Sequence, residues 1–165
     1  MRWLWLVVLA GLTFYAQVAW LPLVRPLGVV PNLALGLVVL VALEGRALGA
    51  LVVALALGCG LDIISGGNFG IWMGTLVLAV LVAAWIRRSG LETGGWLVPA
   101  VLVLAGTVVM TLLVWSALVG VVARWPVGSL VGRLVLECLL NLGLMSLLRP
   151  VVRRTIKPEP GDLYG

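Results

Sequence analysis

The sequence predicts an all-α membrane protein, a compact bundle of six transmembrane helices of which the second and third are short. Three observations predict it. Apolar residues fill 63% of the 165 positions, with 21 glycines besides, where an ordinary soluble domain holds about 45–50% with glycine included. Charged residues are 10%, too few to cover a water-facing surface. The apolar positions also come in long uncharged runs, which read as spans rather than strands. Together these exclude a soluble globular domain, a disordered chain and a disulfide-stapled secreted module. Cys59 and Cys138 both lie inside apolar runs, where they suit small buried side chains better than a disulfide or a zinc site. The chain has no histidine, and so lacks the commonest general base and metal ligand.

The first span is expected over 3–21. Its apolar run is too long for the core of a signal peptide and shows no small-x-small cleavage site, so it reads as an uncleaved helix. Trp3, Trp5 and Trp20 near its ends suit the membrane–water interface. A turn at Pro22, Arg25 and Pro26 leads to the second span, 29–43. The tight turn Glu44-Gly45-Arg46 leads to the third, 47–62. Each apolar run, Val29–Leu43 and Ala47–Leu61, would cover only ~22 Å as helix, against a hydrocarbon core of ~30 Å. Two short spans are preferred over a re-entrant hairpin. Ser65-Gly66-Gly67-Asn68 is a turn, with Ser65 or Asn68 offered as N-cap for the fourth span, 69–86. A loop with Arg87, Arg88 and Glu92 precedes the fifth span, 96–122. Arg124-Trp125-Pro126 turns into the sixth, 127–148. The segment 149–165 reads as a basic, Pro-containing cytoplasmic tail, and 1–148 as a single transmembrane domain.

Lysine and arginine outnumber aspartate and glutamate 11 to 6, for a net charge of +5. In a bundle of this kind the excess marks topology rather than nucleic acid, because cationic residues collect on the cytoplasmic side. Six spans with the N-terminus inside place Arg2, Arg46, Arg87, Arg88, Arg149, Arg153, Arg154 and Lys157 inside, and only Arg25 and Arg124 outside. A five-span arrangement would put the basic tail on the wrong side. Both termini are therefore expected in the cytoplasm.

Small residues recur at spacing four. Ala50, Ala54 and Gly58 share a face of the third helix and Asp62 continues the row. Gly70 and Gly74 share a face of the fourth, with Gly66 in line if that helix starts early. Such faces allow close helix packing, within the bundle or with a partner helix. In the sixth helix Arg133, Glu137 and Asn141 stand at i, i+4 and i+8, one polar stripe. Glu137 would lie ~15 Å deep, beyond the reach of its short side chain to water, where a charge costs ~2.5–3.5 kcal/mol on insertion scales. The stripe reads as a buried ion pair or a partner contact, with proton or substrate coupling as the third choice. Asp62 reads as an acceptor for N–H groups of the turn or the next helix, with binding of an external partner as the alternative. Gln17 with Thr13, and Thr107 with Thr111, read as inert pairs bonded to their own helix. No phosphate-binding glycine loop is present, since Lys157 is the only lysine.

The start Pro31-Asn32, the turn Glu44-Gly45-Arg46 and the stretch Leu57-Gly58-Cys59-Gly60-Leu61-Asp62-Ile63-Ile64-Ser65-Gly66, followed by Asn68-Phe69-Gly70, resemble the MreD family of rod-shape-determining membrane proteins. The Leu-Asp-x-x-Ser-Gly turn of that family is matched by Leu61, Asp62, Ser65 and Gly66. Its Pro-Asp near the second helix is Pro31-Asn32 here, without the charge. The resemblance implies a non-enzymatic scaffold without cofactors in the bacterial inner membrane. It implies a single-span MreC-like partner. It also implies association with the cell-elongation machinery of a RodA-like glycosyltransferase, a class B penicillin-binding protein and an MreB-like filament. The alternative of similar size and span count is the substrate-binding membrane subunit of a vitamin-type importer, which would need longer polar outer loops. An orphan membrane protein that dimerises through Gly66, Gly70 and Gly74 is a third reading.

Overall fold

The computed structural model describes residues 2–20, 29–44, 46–66, 69–90, 95–122 and 127–156. The expected turns at Pro22–Pro26 and Arg124–Pro126, the N-cap candidate Asn68, Glu92, and the tail beyond 156 lie outside these residues. Everything regular among them is helix. The elements are α1 (Arg2–Tyr15), continued by a π-helical turn (Ala16–Trp20), α2 (Leu33–Leu43), α3 (Ala47–Ser65), α4 (Ile71–Arg88), α5 (Leu97–Val122) and α6 (Val127–Ile156). Three stretches, Ala47–Ser65, Ile71–Arg88 and Val131–Thr155, are long and apolar enough to cross a membrane, by length and composition.

α2 is the centre of the molecule. Every residue from Ala34 to Leu43 is buried, and α1, α3, α4, α5 and α6 all pack against it. A helix apolar on all sides has no face to give to a polar solvent, so it goes inside. Leu35, Val38, Val39, Val41 and Ala42 are wholly enclosed. The helix begins at Leu33, four residues later than the expected span, because 29–32 are not helical. Eleven helical residues rise ~16 Å. The four non-helical ones before them can add at most ~13 Å. The segment 29–43 can therefore reach further toward the ~30 Å of a hydrocarbon core than fifteen helical residues would.

Contacts fix the direction of each helix. A Cβ on Gly49 would meet Leu6 and one on Gly60 would meet Phe14, so α1 and α3 run parallel. Asn32 bonds Asn141 and Glu44 pairs with Arg153, both at a separation of 109 residues, so α2 and α6 run parallel and in register. Thr107 meets Asn141 and Thr111 meets Glu137, so α5 opposes α6. Asp62 meets Trp72 at one end while Ala47 and Arg87 line one cavity at the other, so α3 opposes α4. The six described helices thus alternate in direction along the chain.

The outer surface is apolar. Leu4, Val7, Leu12, Leu48, Ile63 and Leu81 are among many large side chains more than half exposed, a surface that water would drive to associate. Aromatic residues collect near the ends: Trp3, Trp5, Trp85 and Trp96 at the end that carries Arg87 and Arg88, Tyr15 and Phe69 at the other. Indoles and phenols in such belts suit the boundary between lipid and water.

Two expected boundaries are corrected. α3 continues to Ser65, past the expected end at 62. α6 continues to Ile156, with Pro150 inside it, so 149–156 is helix and not tail. A proline costs a helix the bond to residue i−4, here Ser146. The last turns are held in spite of that, because Val152 is fully buried and Arg153 Nε donates to Glu44 Oε1 at 2.9 Å.

Candidate functional site

The non-helical stretch before α2 leaves backbone groups in an apolar interior, where each unmet donor costs about 1–3 kcal/mol. Side chains from two other elements meet them. Gln17, carried by the π-helical turn, donates from Nε2 to the carbonyl of Pro31 at 3.0 Å. Its Oε1 accepts from the Leu33 N–H at 2.8 Å. The Asn32 N–H donates to Oδ1 of Asn141 on α6. Asn32 caps its own helix, its Oδ1 accepting from the Leu35 N–H at 3.0 Å, and its Nδ2 lies 3.1 Å from the Met110 sulfur on α5. Asn141 Nδ2 donates to the Thr107 hydroxyl at 2.8 Å, which donates in turn to the Val103 carbonyl at 2.7 Å. Gln17, Asn32, Thr107 and Asn141 are all at most 5% exposed. The result is a closed polar knot that ties α1, α2, α5 and α6 together.

One turn along the α5–α6 seam, the Thr111 hydroxyl lies 2.8 Å from the Thr107 carbonyl and 3.1 Å from Glu137 Oε2. A threonine hydroxyl has one hydrogen to give, so it serves one of these acceptors at a time. The knot and this contact make a two-rung polar ladder between α5 and α6.

A second clamp joins α3 to α4. Asp62 is 2% exposed. Its Oδ1 accepts from the Trp72 N–H at 3.0 Å and its Oδ2 from the Met73 N–H at 3.1 Å. The N-cap position of α4 is Gly70, which offers no side chain, so the preceding helix supplies the missing cap. A carboxylate at a helix N-terminus also meets the positive end of its dipole. The chain reverses through Gly66 at φ 61° and Gly70 at φ 102°, conformations that L side chains rarely adopt. Just below, a Cβ on Gly58 would come within 2.8 Å of the Met73 backbone nitrogen. Only glycine lets α3 and α4 approach that closely.

The expected site residues therefore divide. Ala50, Ala54, Gly58, Asp62 and Asn141 are buried within the bundle and join its own helices. Glu137 is half-buried against Thr111, while Arg133 is exposed. The Gly66–Gly70–Gly74 row is corrected: α4 begins at Ile71, so Gly66 and Gly70 belong to the turn and form no helix face. Gly74 faces open space. Ser65 does not cap α4; its hydroxyl donates to the Asp62 carbonyl at 3.1 Å. Thr107 and Thr111 do bond their own helix backbone as expected, but they are not inert, since each of them, like Gln17, also bonds outside its own helix. The usable signal was their cost: an uncharged polar side chain inside an apolar span must find a partner across the bundle. The roles of Met110 and of the Glu44–Arg153 pair had no such signal.

Compared with protein-family models, with curated proteins and with solved structures, the chain matches none. Fold and site define a class all the same: an all-helical bundle, three of its helices long and apolar enough to cross a membrane, in which buried polar side chains bond helix to helix.

Proposed function

We infer that this chain is a six-span scaffold of the bacterial inner membrane, of the MreD type, which binds the transmembrane helix of a single-span MreC-like partner and supports rod shape and lateral peptidoglycan synthesis. The observation that carries the reading is the Asp62 clamp. The Leu61-Asp62-x-x-Ser65-Gly66 stretch that bears the resemblance is the place where α3 locks onto the start of α4. Two further features support it. The alternation of helix directions and the non-helical residues 29–32, which can lengthen the short second segment, suit six crossings. The buried polar groups hold the bundle together, which leaves apolar helix faces as the main contact surface.

An apolar groove of about 110 Å³ between α4 and α5, lined by Leu78, Ala79, Val82, Leu102 and Val109, is the proposed seat of the partner helix. Lipid provides no hydrophobic drive between helices, so association rests on close packing, and a groove of this size takes one or two side chains of a helix. The test is co-purification of a tagged MreC-like protein in mild detergent, with wild type and with Ala79→Leu. Wild type is expected to retain the partner, and Ala79→Leu to lose most of it at unchanged expression. Failure of wild type to capture a single-span protein, together with normal cell shape on depletion, overturns the scaffold. A copurifying small molecule would instead favour the importer subunit, and a symmetric dimer alone the orphan reading.

A further inference from the structure

At the basic end of the bundle a half-open cavity of about 310 Å³ is lined by Ala42, Ala47, Ala84, Arg87 and Arg88. Its walls come from three helices: the end of α2, the start of α3 and the last turns of α4. We propose that this cavity binds a phosphate-bearing anion, supplied by the headgroup of an anionic phospholipid.

Four observations carry the inference. Arg87 and Arg88 both border the cavity and are exposed, and neither donates to a described residue. Guanidinium groups are the usual choice for phosphate, because their fork of N–H donors matches its oxygens. The wall at Ala47 is the first residue of α3, a helix of 19 residues whose N-cap, Arg46, makes no side-chain cap bond. The first N–H groups of such a helix lack intrahelical partners and carry the positive end of its dipole. The nearest described acid, Glu44, is engaged by Arg153, so the cavity keeps its positive charge. The three alanines, having no longer side chains, leave the volume open.

The position selects the source of the phosphate. Trp85, two residues before Arg87, is 67% exposed and Trp3 is 54% exposed, so the cavity opens at the level of the aromatic belt, where headgroups lie. Basic pockets between helices on the cytoplasmic side are suited to anionic headgroups. The lipid source rests on the membrane reading above, but not on the scaffold reading.

Native mass spectrometry of the detergent-solubilised chain tests it, with phosphatidylglycerol, phosphatidylcholine or inorganic phosphate added. Wild type is expected to retain phosphatidylglycerol over phosphatidylcholine. Arg87→Gln with Arg88→Gln should reduce that retention by about tenfold, while Arg154→Gln, a cation of the same end outside the cavity, should not. Ala84→Leu keeps every charge and fills the space, and should also release the lipid. Thermal melting of each variant separates a lost site from a lost fold. Displacement of the lipid by inorganic phosphate at equal concentration would keep the site and make a soluble phosphate its ligand. Equal retention of the two lipids, or equal loss in Arg154→Gln, would overturn the proposal. So would undiminished binding in Ala84→Leu.

Discussion

At the scale of single residues, the polar side chains inside this molecule satisfy backbone that no helix satisfies. Asn141 shows it best, since its oxygen receives the Asn32 N–H and its amide donates to Thr107. Asn141→Leu leaves a buried N–H without an acceptor, and the expected loss is about 1–3 kcal/mol, read as melting in detergent. Thr107→Val should cost less alone. The two together should cost less than their sum, because they break one shared contact. Additive losses would mean that the two residues do not act through each other. Asp62 makes a second case. Asp62→Ala removes both acceptors from the start of α4, and should cost about 1.5–3 kcal/mol by the range for bonds to charged groups. Asp62→Asn keeps one oxygen but turns an amide donor toward the other N–H, so it should fall between alanine and wild type. Equal stability of Asp62→Asn and wild type would show that the carboxylate charge contributes nothing.

At the scale of elements, the close approach of α3 and α4 separates two glycines that look alike in sequence. Gly58→Ala would drive a methyl into the Met73 backbone, whereas Gly74 has nothing within 4 Å of a Cβ. The first should destabilise by about 1–3 kcal/mol, as overpacked cores do. The second should be neutral or stabilise by up to about 1 kcal/mol, since alanine favours helix. Paired melting curves decide it, and equal effects would mean that the α3–α4 crossing is looser than it looks. The same contrast shows what was legible in the sequence. Apolar runs and the charges between them set the number of helices and most of their limits. Val29 and Val30 prolong the apolar run past the true start of α2, while Pro31 and the N-cap Asn32 were the legible signal that the helix begins at Leu33. What the runs could not reveal is that Gln17 and Asn141, distant in the chain, make non-helical backbone tolerable there. Nor could they reveal that α6 passes Pro150, since what holds its last turns is the burial of Val152 and Glu44 at the C-cap of α2. Spacing four in Gly66, Gly70 and Gly74 imitated a helix face across what is a reverse turn.

At the scale of the whole molecule, the alternating directions of the described helices gather Arg46, Arg87, Arg88, Arg149, Arg153 and Arg154 at one end. The contacts at that end are polar and local: Arg153 to Glu44, and Arg149 Nη2 to the Gly95 carbonyl at 2.7 Å. An end so rich in cations belongs on the cytoplasmic side if the bundle lies in a bacterial inner membrane, because insertion retains positive loops inside. The N-terminal residue of α1 and the last turn of α6 both stand at that end, so both termini should be cytoplasmic. Alkaline phosphatase folds to activity only outside the cytoplasm, and fusions read the side directly. Fusion after Gly165 or within the loop after Ser89 should be inactive, while fusion after Gly66, at the opposite end, should be active. The Gly66 fusion matters most, because it depends on α3 crossing fully. Activity after Gly165 would mean an odd number of crossings. The segment from Val29 to Leu43, non-helical up to Asn32 and helix from Leu33, would then be the one that enters and leaves on the same side.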